Sequence, residues 1–327
     1  MAARIEAPPP AHPAQLVDLR HVSSRQMESL LEEETAEWRR ELDWDFRHSA
    51  DLVRRFVDLH ALNGCALLES GGETAGYAYY VLEDHKGLIG DLYVRERWRS
   101  LERENRLLEW VLQAMSRVPA IRRVESQLMM MAPRSRRSPA PMGEHLLSYE
   151  RNFMRVDLAH ASLGEGCVRR PVYVEKWSEH YHEGAAQLIA AAYAGHVDSL
   201  INDQYRSVGG ARRFLYNIVQ YPGCGTFHRP ASFVAFDAGT GRMVGISLAS
   251  LVAERCGHIT QICVAPGWRG TGVGHLLLRD SLLALRDRPC AGVTLTVTAA
   301  NTEAVSLYER VGFRTERCFQ AWVWEGI

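Results

Sequence analysis

Arg269-Gly270-Thr271-Gly272-Val273-Gly274 places three glycines and a guanidinium within six residues. Glycines bare their backbone N–H groups and let an anion come close to the chain. Where such a run opens a helix, the unpaired first-turn amides and the positive end of the helix dipole strengthen the attraction. The chemistry this spacing suits is a grip on a phosphorylated carrier. Two familiar phosphate motifs fail here. A P-loop needs Lys-Ser or Lys-Thr after its last glycine, and His275-Leu276 stand there. A dinucleotide fingerprint needs two residues between its second and third glycines and an acid ending the next strand. Here a single residue intervenes, and Val293–Thr298 supplies no acid.

The flanking elements are legible. Ile259–Val264 reads as a strand closed by Ala265-Pro266-Gly267, and His275–Arg286, leucine-dense and free of Gly and Pro, reads as a helix. The turn between them fits the Arg/Gln-x-x-Gly-x-Gly/Ala signature for the pyrophosphate of coenzyme A, with Arg269, Gly272 and Gly274 in the fixed places. After the strand Val293–Thr298 comes Asn301-Thr302-Glu303-Ala304-Val305-Ser306-Leu307-Tyr308-Glu309-Arg310-Val311-Gly312-Phe313. This resembles the Asn-x-x-Ala-x-x-Leu-Tyr-x-x-x-Gly-Phe signature of the GNAT superfamily of N-acetyltransferases, in the right order and at the expected separation. The resemblance covers residues 171–327.

The resemblance implies direct attack of a neutral amine on the thioester of acetyl-CoA, the cosubstrate. It assigns the pyrophosphate to the amides of Gly270, Thr271, Gly272, Val273 and Gly274, helped by the Arg269 guanidinium or the Thr271 hydroxyl. The edge of Ile262-Cys263-Val264 would pair with the pantetheine like an added strand, and an N–H near Val264 would polarise the thioester oxygen. Asn301 would bond the pantetheine arm, and Tyr308 would give its proton to the departing sulfur. For the base, the preceding strand offers His258 and Gln261, with Glu254 upstream; His258 has the suitable intrinsic pKa, and a surface histidine at a strand start is the competing reading. Asp198 and Asp203 read either as acids for a cationic substrate or as turn formers. Cys263 reads as core packing, with no His to activate it. No metal site is expected.

Composition bounds the rest. The 327 residues suffice for two domains; 46% are hydrophobic and 24% charged, the balance of a globular chain with a core. A net charge of −1 gives no electrostatic case for nucleic acid or an anionic membrane as partner. Seven cysteines, odd in number and never as Cys-x-x-Cys, argue against a disulfide framework and for a reducing, cytoplasmic setting. The expected organisation is a flexible leader over 1–15, a first domain over 16–165 and a second over 166–327, with a Pro/Arg/Ser loop at 132–141.

The second half repeats the order of the first. Asp91–Arg99 matches Gln261–Arg269 in its β pattern and in Trp-Arg, but Ser100, Glu102 and Glu104 stand where Gly270, Gly272 and Gly274 follow. Carboxylates there would repel a diphosphate. Ser148–Phe153 loosely echoes Leu307–Phe313, without an Asn-x-x-Ala before it. The expected fold class is therefore α/β (α+β): two tandem GNAT-like domains, each a mixed, mostly antiparallel central sheet flanked by helices, the first degenerate and the second active. The expected partner is a small-molecule amine, with polypeptide acetylation and a non-catalytic acyl-CoA sensor as alternatives, in a monomer or homodimer.

Overall fold

The structure is a computed structural model and describes residues 14–131, 140–221, 223–288 and 290–327. The expected leader, save its last two residues, and the loop from 132 to 139 lie outside the described residues. The first half runs β1 (Gln15–Asp18), α1 (Ser24–Leu42), α2 (Arg47–Asp58), β2 (Asn63–Leu68), β3 (Thr74–Glu83), β4 (Lys86–Val94), α3 (Leu101–Ser116), β5 (Arg123–Gln127) and β6 (Leu146–Asp157). The second runs β7 (Val172–Lys176), α4 (His182–Ala192), the one-turn α5 (Asp198–Ile201), α6 (Val208–Gln220), β8 (Thr226–Phe227), β9 (Phe233–Asp237), β10 (Met243–Ala253) and β11 (Cys256–Val264). It closes with α7 (Val273–Asp287), β12 (Gly292–Thr298), α8 (Thr302–Val311) and β13 (Arg314–Glu325).

Local chemistry explains where elements start and stop. Gln26 and Ser23 form a capping box that opens α1. Ser100 caps α3 by accepting the Arg103 N–H. β1 stops at Asp18, whose carboxylate accepts the Arg20 N–H and turns the chain. In α7, Leu277, Leu278, Leu282 and Leu285 recur at helical spacing and are all buried. Ser148–Phe153 lies within β6, so the echo of the Tyr308 helix is strand in the first half.

The described residues form one 13-stranded sheet in the order β1-β2-β3-β4-β5-β13-β6-β12-β11-β10-β9-β7, with β8 on β10. It is mixed and mostly antiparallel: β4·β5 and β11·β12 are the parallel pairs. The two halves exchange their last strands. β6 pairs with β12 from Gly292↔Asp157 to Thr298↔Arg151, while β13 pairs with β5 through Ala321–Glu325 and with β6 along Arg314–Trp324. Each half thereby completes the other's ladder.

Each half contains a fork. β11 and β12 pair only from Cys256↔Gly292 to Ile259↔Leu295, then separate. A bulge lies at the same level, where Leu248 faces Gln261 and Ala249 faces Ile259, leaving Thr260 over. A bulge bends and twists its strand, which is how β11 leaves β12. The first half repeats this: β4 and β5 part after Ile89↔Ser126, with a bulge at Gly90.

The halves are also tied by charge. Lys86, 3% exposed, reaches Glu125 at 3.2 Å and Asp203 of the second half. Arg123 bonds Glu125 at 2.6 Å and donates to the Ile201 carbonyl. Asp203, read from sequence as a substrate acid or turn former, is thus an inter-half anchor. Burial alone would raise its carboxyl; the Lys86 ammonium outweighs that and holds it below the usual range.

Candidate active site

The fork of the second half opens into a cleft of about 830 Å³, lined by the glycine turn, the tip of β11 and one face of α8. Gly270 and Gly272 have φ of +70° and +93°, a region that side chains resist. Gly272 is the residue before α7, so the following amides form the first turn and have no acceptor within the helix. A Cβ on Gly272 would also stand 2.4 Å from the Cys167 carbonyl oxygen, so packing demands this glycine as well. A Cβ on Gly274 would meet Leu307 and Val264 at an ordinary 3.6 Å. Gly270, Gly272 and Gly274 all line the cleft, with Ile262, Cys263, Val264, Arg269, Asn301 and Tyr308.

The side chains expected to assist the turn are engaged elsewhere. The Arg269 guanidinium donates to the Ala192 carbonyl at the end of α4, and the Thr271 hydroxyl donates to the Trp268 carbonyl at 2.6 Å. Both brace the turn. The cations sequence reasoning missed are Arg169 and Arg310, which line the cleft. Arg310, two residues after Tyr308, was visible as the basic residue of the motif helix. Arg169 carried no signal; the hydrogen bond from its N–H to the Thr271 carbonyl, 2.9 Å, brings it there.

Asn301 caps α8, its Oδ1 accepting the Ala304 N–H at 3.3 Å. Tyr308 follows on that helix, 6% exposed and against Phe313 with ring centroids 5.9 Å apart. Burial, then the negative charge of Asp198, raises its phenol well above the ordinary value, so it stays protonated. Cys263 packs with Ile189 and Leu248. Burial pushes its thiol up to about 12, which keeps it un-ionised near neutrality.

Beside the cleft is a polar cluster, two of whose members, Tyr193 and His196, line it. Arg151, from β6 of the first half, donates to Asp198 at 3.2 Å, to Thr298 at 3.0 Å and to Thr296 at 3.2 Å. Asp198 also accepts the Thr298 hydroxyl, and its N–H bonds His196 Nδ1 at 3.2 Å. Gln261 bridges the stacked Tyr193 and Tyr205, donating to the first at 3.0 Å and accepting from the second at 3.3 Å. Of the two acids read from the sequence, the structure brings only Asp198 to the fork. Arg151 was invisible because strand exchange, not proximity in sequence, delivers it.

His258 does not line the cleft. It is 4% exposed, edge-on to Trp44 of the first half at 5.0 Å, and faces a second cavity. The surface reading for this histidine is therefore wrong: α1 and its following turn cover it. Thr294 donates its hydroxyl hydrogen to the Gly257 carbonyl at 3.3 Å, so its oxygen, 2.9 Å from His258 Nδ1, accepts from that nitrogen. The tautomer this favours leaves a lone pair on Nε2. Burial holds the imidazole down to about 3. A folded-state value below the unfolded one near 6.5 means that the unfolded chain takes up a proton first. His258 should therefore cost no stability above pH 6.5 and up to about 1.4 kcal/mol per pH unit below it, until the imidazole itself protonates. Urea unfolding at pH 7 and pH 5 should show this decline, and His258→Gln should flatten it; equal slopes in the two proteins would refute it.

Among the described residues no helix is long and apolar enough to cross a membrane. Residues 197–313 match the acetyltransferase (GNAT) family model. Mycothiol acetyltransferase of Thermobifida fusca is 36% identical over 89 residues, 25% of this chain and 28% of that one. Streptothricin acetyltransferase of Streptomyces lavendulae is 38% identical over 84 residues, 25% of this chain and 43% of that one. The chain thus spans less than half the length of these relatives. A GCN5-related N-acetyltransferase from Sphaerobacter thermophilus superposes with TM-score 0.66 at 20% identity over 95% of both chains. A tandem GNAT protein from the clavulanic acid biosynthesis pathway does so with TM-score 0.60 at 16% identity, over 96% of this chain and 99% of that one. At those identities the likeness shows the fold.

Proposed function

From a chain whose residues 197–313 form a GNAT-family acetyltransferase domain, we propose an acetyl-CoA-dependent N-acetyltransferase acting on a primary amine of a small molecule. The observation that carries this reading is the cleft itself: it unites the open amides that begin α7 with the protonated phenol of Tyr308 across the fork of β11 and β12. Relatives named for mycothiol and streptothricin support a small-molecule acceptor. We further propose 166–327 as the catalytic half and 16–165 as a copy without coenzyme binding, where Glu102 and Glu104 occupy the first turn of α3.

The first-turn amides of α7 would hold the diphosphate, with Arg169 and Arg310 as cations on the cleft wall. Past Ile259, β11 has lost β12, so Ile262–Val264 can pair with the amide groups of the pantetheine arm. The neutral amine attacks the thioester carbon; a C–N bond forms, the C–S bond breaks, and the sulfur takes the Tyr308 proton. The attacking nitrogen releases its extra proton to water, and the phenolate regains one from solvent.

Calorimetric titration with acetyl-CoA, together with a free-thiol release assay over an amine panel, tests this. Micromolar binding with amine-dependent thiol release is expected. Binding without turnover on any amine would convert the reading to an acyl-CoA sensor, and absence of binding would end it.

A further inference from the structure

The halves enclose a second cavity of about 750 Å³, within the size range of small-molecule sites. Its wall is apolar and mostly from the first half, with Trp44, Phe46, Phe56 and Tyr79 among its residues. The first half also supplies Ser49, Asn63, Asp91 and Gln127, while the second half brings His258 and Thr296 to one end. These two residues sit beside the last paired positions, Ile259 and Leu295, so that end lies at the fork whose other side opens into the cleft.

Several features point to a ligand. His258 presents a lone pair on Nε2, its other nitrogen being bonded to Thr294. The rim carries Leu52, Phe56, Val81 and Leu82, all large apolar side chains left exposed. Asp91, an acid in the wall, is raised by burial and shares the Tyr77 hydroxyl with Glu34, whose carboxyl is raised further by burial and by Asp91. Apolar side chains make up most of this wall, beside the polar Ser49, Asn63, Asp91 and Gln127, so an apolar body is matched over more of its surface than a sugar would be. A sugar hydroxyl buried there without a partner would be disfavoured by roughly five- to 150-fold.

Resting on the acetyltransferase reading, we propose that this cavity holds the body of the acceptor, and that the acceptor is a primary amine on an aromatic or branched apolar body, its nitrogen set at the fork by His258 and Thr296. The two halves then divide the work, the first supplying the specificity wall and the second the transfer.

Saturation-transfer NMR with phenethylamine, and glucosamine as the polar control, reads the cavity without acetyl-CoA. Thiol release then reads KM for each amine. Phenethylamine should bind and turn over with the higher kcat/KM. Leu52→Trp, at an exposed rim position that leaves the core intact, should weaken its binding and raise its KM at least tenfold, with KM for acetyl-CoA unchanged. Absence of phenethylamine binding, a higher kcat/KM for glucosamine, or an unchanged KM in Leu52→Trp would each overturn the assignment. Failure of acetyl-CoA to bind would instead strike the acetyltransferase reading, while the NMR result would still judge the cavity.

Discussion

Tyr308→Phe is expected to lower kcat by roughly 10²–10⁴-fold, the range for loss of one positioned proton donor, with Kd for acetyl-CoA within about twofold of wild type. The variant is structurally mild. Tyr308 is buried on α8 beside Phe313, and phenylalanine keeps its ring contacts. What disappears is a proton held ready in a site where burial and the Asp198 charge prevent ionisation. A thiol with an ordinary pKa of about 8.5 leaves tolerably as an anion, so the lower part of the range is expected. The pH profile separates a chemical role from a packing one. The wild type should show no loss of kcat up to about pH 9, because the phenol stays protonated. The variant should lose less at low pH, where a protonated donor is more available from solvent. A variant with full kcat would remove Tyr308 from the mechanism; a large rise in Kd would make it a packing residue of the cleft.

Gly274→Glu should weaken acetyl-CoA binding by at least about 100-fold. It places in the second half the residue type that the first half carries as Glu104. At an effective dielectric constant near 20, two unit charges 4 Å apart repel by about 4 kcal/mol, ample for that loss even after the side chain relaxes. Gly274→Ala is the control. Its methyl meets Leu307 and Val264 at 3.6 Å, so the fold should be unaffected and Kd should rise less than about fivefold. Gly272 would make a poor test, because its φ of +93° and the nearby Cys167 carbonyl make any side chain a folding problem. Calorimetry at low and moderate salt checks the electrostatic origin: the deficit of Gly274→Glu should shrink as salt rises. Equal affinity for Gly274→Glu and wild type would place the diphosphate elsewhere.

The glycine turn, α7 and α8 were legible because each rests on local rules. Glycines permit positive φ, a leucine stripe at helical spacing makes one buried face, and Asn301 caps the helix that carries Tyr308. The two-fold order of elements was legible as well, down to the Trp-Arg pair before each helix. Boundaries were less so: β6 runs from Leu146 to Asp157, and its first residues are held by ladder bonds to β13 that no local pattern announces.

The sequence by itself determined the family-type motifs, the glycine turn with the phenol that follows it, and the acids that replace those glycines in the first half, since these depend on residue types at fixed short spacings. Only the tertiary structure decided that β6 and β13 change places, that Arg151 therefore meets Asp198, that Asp203 serves Lys86, and that His258 is roofed by Trp44 of the other half. Those outcomes follow from contacts between segments far apart in the chain, whose energies come from burial and charge pairing. No spacing rule along the chain encodes such contacts.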